Sequence, residues 1–227
     1  MTHINGLPPF IKHVILYSDC CTGQNRNQYL TAGLLHAVRN HATVETIEQK
    51  FLESGHTQME CDSMHSAIER AKKGTSIHVP DHWDMVIHFA RRNNPYAVIP
   101  MRYDNFFYLK QYVKDKGLGF KIDQEENRVN WLKLKVIKVM KETPNEIHVK
   151  ENFDDLSFRV INLRRSGRGR PSVSLKQKYE NKLPISEAKK NDLVSLCRSL
   201  VIPAQYHDIY TAINTNSYLY RITGFAC

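Results

Sequence analysis

One segment near the start of the chain, residues 13–27, constrains the possible folds more than any other. An apolar run at 14–17 leads to Asp19, and a polar turn that contains Gly23 follows. An apolar run of this length that ends at turn-forming residues is typical of a buried strand. Residues 28–41 then repeat leucine and valine at the spacing of a helix. The segment therefore predicts a strand, a loop and a helix, with an acidic side chain at the carboxyl end of the strand.

The same alternation continues along the first half of the chain. Residues 43–51 are rich in β-branched side chains, which favour a second strand. Residues 59–72 place Met64, Ile68 and Ala71 on one stripe, as in an amphipathic helix. Strands that alternate with helices pack in layers. We therefore predict an α/β fold, in which a mixed sheet is flanked by helices.

A change in composition after residue 114 predicts a boundary inside the chain. The stretch 114–130 is polar and charged, and three short strand-like runs follow it, the first of which, at 131–140, alternates lysines with apolar residues. Such alternation predicts a small antiparallel sheet with one face in solvent. We accordingly expect four parts: an α/β portion at 1–115, a polar linker at 116–130, a small α+β region with an antiparallel sheet and two helices at 131–214, and an atypical tail at 215–227.

The charge of the chain indicates an anionic partner. The chain has 32 basic and 23 acidic residues, which give a formal charge of +9 at pH 7. A surplus of this size favours association with nucleic acid through its phosphates, and we expect DNA. No apolar run approaches the roughly 18 residues that span a bilayer, and the five cysteines form no disulfide framework. The sequence therefore predicts an intracellular, nuclear protein with reduced thiols and no membrane partner.

Acidic positions near the two predicted helices are candidates for a shared metal site. Asp19 ends the first strand, and Asp62 lies in the first turn of the second predicted helix. Carboxylates are ligands that Mg²⁺ prefers, so we expect Asp19 and Asp62 to hold Mg²⁺, with Glu60 as a further candidate. Asp62 is the better partner because His65 and Glu69 share its helix face. An aspartate at a strand end also commonly caps the following turn, and this alternative stays open for Asp19.

A histidine and several cysteines offer further ligands. His56, just ahead of the second helix, is placed for proton transfer or for a metal or phosphate contact, or else it only packs in a helix-entry turn. Cys20, Cys21 and Cys61 with His56 and His65 suggest a zinc site. Adjacent cysteines project in different directions, however, and no Cys-x-x-Cys pair has the spacing of a structural zinc site.

Two clusters of polar and basic residues are candidates for contacts with nucleic acid. The first is rich in hydrogen-bond donors at the start of the first helix, where phosphate binds well: Gln24, Asn25, Arg26 and Asn27. The second is an Arg-Gly-Arg-Pro sequence that contains Arg168 and Arg170 and fits an A·T-rich minor groove. The alternative for the first cluster is an ordinary polar turn, and the alternative for the second is a solvated basic loop.

Several short motifs together resemble a known family. They are Ser-Asp-Cys-Cys-Thr-Gly-Gln-Asn-Arg-Asn at 18–27, Gly-His-Thr at 55–57, Leu-Pro-Ile at 183–185, Lys-Asn-Asp-Leu at 190–193 and Ile-Pro-Ala-Gln-Tyr-His at 202–207. As a set they resemble an uncharacterised, transposon-associated domain of animal genomes, which is similar to ribonuclease H-like transposases and integrases. The resemblance implies a ribonuclease H-like fold and Mg²⁺-dependent phosphodiester cleavage or strand transfer. It also implies that Asp19 is the strand acid, that Asp62 or Glu60 is the helix acid and that His56 assists.

One feature departs from that family. In a ribonuclease H-like site the first acidic ligand comes from an earlier strand, and no acidic residue precedes Lys12. Two metal ions need several carboxylates to hold them, so we expect the sheet and its site to be incomplete at the N-terminus. The alternative is a nucleic-acid-binding or protein-interaction domain without catalysis, whose basic loop and positive charge provide the function. A structural metal-binding protein is a third possibility.

Overall fold

The structure, a computed structural model, describes Ile4 and residues 6–21, 23–53, 59–163 and 173–216. The chain forms two compact units. The first comprises Met1–Thr57 and Phe107–Gln177, and the second comprises Gln58–Phe106 and Lys178–Cys227. The chain thus leaves the first unit and later returns to it, so each unit is built from two separate segments.

The secondary structure follows much of the predicted pattern. In chain order the elements are β1 (His13–Ser18), α1 (Gln28–Asn40), β2 (Thr46–Phe51), α2 (Glu60–Lys72), α3 (Pro80–Phe89), a 3₁₀ turn (Tyr103–Asn105), α4 (Leu109–Lys116), β3 (Val136–Met140), β4 (Glu146–Lys150), β5 (Arg159–Asn162), β6 (Ile185–Ser186), α5 (Glu187–Arg198), a second 3₁₀ turn (Ala204–Tyr206), α6 (His207–Thr211) and β7 (Thr215–Asn216). The strand, loop and helix predicted near the start of the chain are therefore present. Helix α4 lies where the sequence predicted no element.

The first unit contains a five-stranded mixed sheet. Its strands lie in the order β1-β2-β3-β4-β5, with β1 parallel to β2 and the other neighbours antiparallel. Ile47 on β2 faces Val139 on β3, and Ile147 on β4 faces Ile161 on β5. These side chains form one core with the apolar side of α1. The predicted α/β class with a mixed sheet is confirmed, whereas the ribonuclease H-like arrangement stays a prediction.

The strands β3, β4 and β5 belong to this same sheet, although the sequence predicted a separate small one. β3 pairs with β2, so that Lys138 lies opposite Glu48. Ile137 and Val139 on β3 are fully buried, while Lys138 is only partly buried. The alternation predicted the antiparallel pairing correctly, but such a pattern identifies the buried face of a strand and not its neighbour. The expected α+β region at 131–214 is consequently divided between the two units.

The polar stretch 116–130, expected as a linker, lies within the first unit. Residues 120–132, which we call the hairpin, form two arms that join in an antiparallel bridge. The backbone of the hairpin is also bonded to β5, because the Gln124 N–H donates to the Val160 carbonyl at 2.9 Å. Composition suggested a linker because the side chains are polar, yet the backbone of the stretch is paired.

The second unit consists mainly of helices. α2 contacts α3, α5 contacts α6, and β6 pairs with β7 in parallel. The predicted stripe of Met64, Ile68 and Ala71 is partly buried on α2. Among the described residues, every helix is too short or too polar to cross a membrane.

Ile137 on the central strand offers a test of this core. Its side chain is 0% exposed, so Ile137→Ala should lower the free energy of unfolding by about 3 kcal/mol through lost burial and a residual cavity. Ile15 on β1 is 43% exposed, and Ile15→Ala should lower it by less than about 1 kcal/mol. Urea unfolding followed by circular dichroism measures both changes. Equal losses would contradict the burial of β3 in the centre of the sheet.

Candidate functional site

The turn after β1 holds Asp19 in place. Its Oδ1 accepts the Asn25 Nδ2–H at 2.5 Å and the Cys21 N–H at 3.3 Å. The backbone N–H groups of residues 24–26 all donate to the Cys21 carbonyl, at 3.2, 2.7 and 3.2 Å. Asp19 therefore caps this turn, as in the structural alternative that the sequence offered. A metal-binding role for Asp19 stays a prediction.

Asn27 begins helix α1 as its N-cap. Its Oδ1 accepts the N–H groups of Tyr29 and Leu30 at 3.0 and 2.9 Å, as capping asparagines do. These bonds and those to Cys21 occupy many of the backbone donors that the sequence offered for phosphate. The side chain of Gln24 is exposed. A phosphate contact in this region must therefore come mainly from side chains.

Arg26 is a buried cation in the same turn. The residue is 8% exposed, and its guanidinium lies 5.7 Å from the centre of the Phe51 ring. Nη1–H donates to the Leu134 carbonyl at 3.2 Å and Nη2–H to the Cys20 carbonyl at 3.5 Å. Among the residues that the structure describes, the buried Nε has no hydrogen-bond partner, and no carboxylate lies within ion-pair distance of the guanidinium. Because a buried charge is stable only when it is paired or hydrogen-bonded, Arg26 has unused capacity to bind an anion.

A cleft of about 740 Å³, which we call the Arg26 cleft, lies between the start of α1 and the hairpin. Basic and aromatic side chains line it together. Arg26 and Tyr29 come from the α1 side, and Lys121, Arg128 and Trp131 come from the hairpin. Lys121 and Arg128 are exposed, whereas Tyr29 and Trp131 are half-buried. A volume of this size is typical of sites for small ligands.

An ion pair between the buried Asp123 and the partly exposed Arg159 fixes the hairpin. Asp123 Oδ2 accepts Nε–H and Nη2–H of Arg159 on β5 at 3.0 and 2.8 Å, and Oδ1 accepts the N–H groups of Glu125 and Asn127 at 3.0 and 2.8 Å. Arg159 Nη1–H also donates to Glu151 at 2.7 Å. Burial opposes ionisation of Asp123, but Arg159 and the two backbone N–H groups outweigh burial and hold the pKa of that carboxyl below its usual value. This ion pair therefore sets the position of one wall of the Arg26 cleft.

The other acidic candidates lie on α2 in the second unit. Asp62 Oδ2 accepts the Met59 N–H at 2.9 Å and so caps the start of this helix, where a negative charge is also favoured by the helix dipole. Asp62, His65 and Glu69 are all exposed, and Glu60 is exposed as well. The face that the sequence assigned to metal binding is therefore a solvent-exposed face of α2.

Several sequence predictions about the site stay predictions. Asp19 belongs to the first unit and Asp62 to the second, and their shared metal site stays a prediction. His56, Arg168 and Arg170 lie outside the described residues. Their roles in proton transfer and minor-groove binding stay predictions.

Metal ligands are not gathered in the part of the chain that the structure describes. No group of three or more histidine, cysteine, aspartate and glutamate side chains there could hold a metal ion. The described cysteines, Cys20, Cys21, Cys61 and Cys197, are free thiols. The described residues thus do not by themselves fit a Mg²⁺ or a zinc site, and both metal hypotheses stay predictions.

Comparison with known proteins identifies no relative. The chain matches no protein-family model, no curated protein and no solved structure. The resemblance to transposon-associated domains therefore rests on the motifs alone.

Sequence reasoning found Arg26 but missed the residues that line the cleft with it. Lys121 and Arg128 fall in the stretch interpreted as a linker, and Trp131 follows directly. The available signal was the alternation of basic and apolar residues on both sides of Asp123, which is typical of a hairpin.

The ion pair of Asp123 gives a test with a pH signature. Asp123→Asn weakens the bond to Arg159 and should lower the free energy of unfolding by about 2 kcal/mol at neutral pH. The folded-state pKa of Asp123 lies below the unfolded value of about 4. Its contribution to stability is therefore fully present above that pH and disappears as the pH falls through the folded-state pKa. Thermal unfolding of both proteins between pH 7 and pH 2 measures the difference.

Asp154→Asn is the matched control, because Asp154 is an exposed carboxylate of the same unit. It should change the free energy of unfolding by less than about 0.5 kcal/mol. A stability difference between wild type and Asp123→Asn that stayed constant down to pH 2 would contradict the role of the ionised carboxylate.

Proposed function

We propose that the first unit binds nucleic acid through the Arg26 cleft. The observation that carries this proposal is the presence of three cations and two half-buried aromatic rings in one cleft: Arg26, Lys121, Arg128, Tyr29 and Trp131. Guanidinium and ammonium groups bind phosphate, and aromatic rings stack on bases. Nucleic acid is the class of ligand that presents phosphates and bases together at regular spacing.

The buried guanidinium of Arg26 supports an anionic ligand in particular. Two backbone carbonyls satisfy part of its hydrogen-bonding capacity, and no carboxylate of the described residues is paired with its charge. Because Arg26 lines the cleft, a phosphate group bound there would supply the negative charge that the described residues do not provide.

The hairpin contributes exposed cations close to one another. Lys121 is adjacent to Ile122, which pairs with Arg128 across the hairpin. The carboxylate of Asp123 between them does not oppose an anion strongly, since Arg159 neutralises it. The formal charge of +9 further raises the rate of encounter with a polyanion.

Replacing the two exposed cations of the cleft tests this proposal. Lys121→Ala/Arg128→Ala should weaken binding to a short fluorescent oligonucleotide on the order of tenfold at low salt. Two lost phosphate contacts should also reduce the slope of log K against log salt by about 1.4 for a single strand or about 1.8 for a duplex. Fluorescence anisotropy at several salt concentrations measures both quantities.

Lys110→Ala/Lys114→Ala is the matched control. It removes the same charge from exposed positions on α4 that do not line the cleft. We expect this control to weaken binding less than about twofold, because screened distant charges contribute little. If the two double variants weakened binding equally, the cleft would not be the site. Absence of any binding at low salt would refute the proposed function.

Metal-dependent cleavage is a second proposal, and it rests on the position of Asp19. This residue directly follows β1 of the parallel strand pair and begins the turn that leads to Arg26. A carboxylate beside a nucleic-acid cleft is useful as a ligand of Mg²⁺ in phosphodiester chemistry. The further ligands that Mg²⁺ needs are not gathered around it among the described residues, so this proposal is the weaker of the two.

Asp19→Asn separates cleavage from binding. If Asp19 is a metal ligand, the wild-type protein should cleave labelled DNA in Mg²⁺ and Asp19→Asn should lose that cleavage, because a neutral amide is a poor ligand for this ion. Binding without Mg²⁺ should change less than about twofold, since the amide of the variant keeps one oxygen that can accept from Asn25 and from the Cys21 N–H, so that the turn before Arg26 is retained. Gel analysis of the products, with Asp154→Asn as the control for one lost carboxylate, measures the difference. Equal cleavage by both variants would contradict the assignment of Asp19.

A further inference from the structure

The Arg26 cleft is more apolar than a surface that only binds phosphate needs to be. Beside its cations it is lined by Ile122 and Leu132, which are 55% and 64% exposed, and by the buried Phe120 and Val129. Exposed apolar side chains gathered in one place commonly mark a binding surface. A duplex presents its sugars and phosphates outward, while its base faces are stacked on one another. The lining therefore fits a flat apolar group, such as an unstacked base.

Trp131 is the residue best placed to receive that group. Its Nε1–H donates to the Phe120 carbonyl at 3.3 Å, and its ring packs edge-on against the Phe120 ring with centroids 6.0 Å apart. These contacts fix the orientation of the indole, which lines the cleft and is only half-buried. A fixed aromatic ring is a stacking platform for any base, because every base has a π-face.

We infer that the Arg26 cleft holds an unstacked base against Trp131 while Arg26, Lys121 and Arg128 bind the adjacent phosphates, so that the partner is single-stranded nucleic acid. This inference rests on the proposed function, since it assigns the strand form that the same cleft accepts. A base in a duplex must first leave its stack and its pair, which opposes binding of a duplex. Stacking on one ring tolerates all bases, so the cleft should show little sequence preference.

The two tryptophans of the chain make a direct test possible. Trp83 lies on α3 in the second unit, and Trp83→Phe leaves Trp131 as the sole tryptophan. Titration of this variant with oligo(dT) should quench Trp131 fluorescence, because a base stacks on the indole. A fully base-paired DNA duplex with the same number of phosphates, at the same salt concentration, should bind about tenfold more weakly and quench the Trp131 fluorescence little.

Substitution of Trp131 tests the role of its aromatic face. Trp131→Leu keeps an apolar side chain but removes that face, and it should weaken binding of oligo(dT) about tenfold. Binding of the duplex should change less than about twofold, and the salt slope should stay the same, because no phosphate contact is lost. Trp131→Phe keeps an aromatic ring and should restore most of the affinity. Thermal unfolding of the variants shows whether they fold.

The possible results distinguish this inference from the proposed function. Absence of binding, or equal effects of the Lys121/Arg128 and Lys110/Lys114 variants, overturns the proposed function and this inference with it. Salt-dependent binding through the cleft cations, with equal affinity for both strand forms and no quenching of Trp131, overturns this inference alone. Equal weakening of both strand forms by Trp131→Leu also overturns it, because Trp131 would then have only a structural role.

Discussion

The ion pair between Asp123 and Arg159 is the interaction on which the cleft depends. The hairpin buries few apolar side chains, among them Phe120 and Val129, so apolar burial alone fixes it weakly. Asp123 accepts two hydrogen bonds from Arg159 and two from backbone N–H groups of its own turn. One carboxylate therefore closes the turn and attaches it to β5. Because loss of Arg159 would leave the buried charge of Asp123 without its compensating cation, the position of the cleft wall depends on the same contact that stabilises the fold.

Arg26, in the turn before α1, connects the other wall of the cleft to the ends of three strands. It bonds to Cys20 after β1 and to Leu134 before β3, and it packs on Phe51 at the end of β2. Since β1 and β2 are parallel and β3 is antiparallel to β2, these three points lie at one edge of the sheet. Arg159 starts β5 at the same edge, as the strand register requires. The cleft thus lies at the carboxyl ends of the parallel strands, where open α/β sheets commonly bind ligands.

The features that sequence predicted correctly are local, and those it missed depend on distant partners. The spacing of apolar residues predicted α1, and the polar turn that precedes it was one of the alternatives offered for residues 24–27. The capping role of Asn27 involves residues only two and three positions apart, although the sequence predicted a phosphate contact for Asn27. Asp123 could not be assigned its role, because its partner Arg159 lies 36 positions away. The pairing of Lys138 with Glu48 could not be predicted for the same reason. Periodicity identifies which side of an element is buried, while the choice of neighbour depends on the whole fold.

The proposals of nucleic-acid binding and of metal-dependent cleavage both place the site at this edge of the sheet, and they differ in the role of Asp19. A carboxylate close to a bound phosphate repels it, so its presence there needs a reason, such as a bound metal ion or a role in the fold. Asn25 and the Cys21 N–H both donate to Asp19, so the turn that presents Arg26 depends on this carboxylate. Asp19 is therefore explained by local structure without a metal. The positive charge of Arg26, in contrast, is paired with no carboxylate of the described residues, and the apolar lining of its cleft includes the exposed Ile122 and Leu132. The ligand that we propose, which carries both phosphate and a flat ring, matches these two features together.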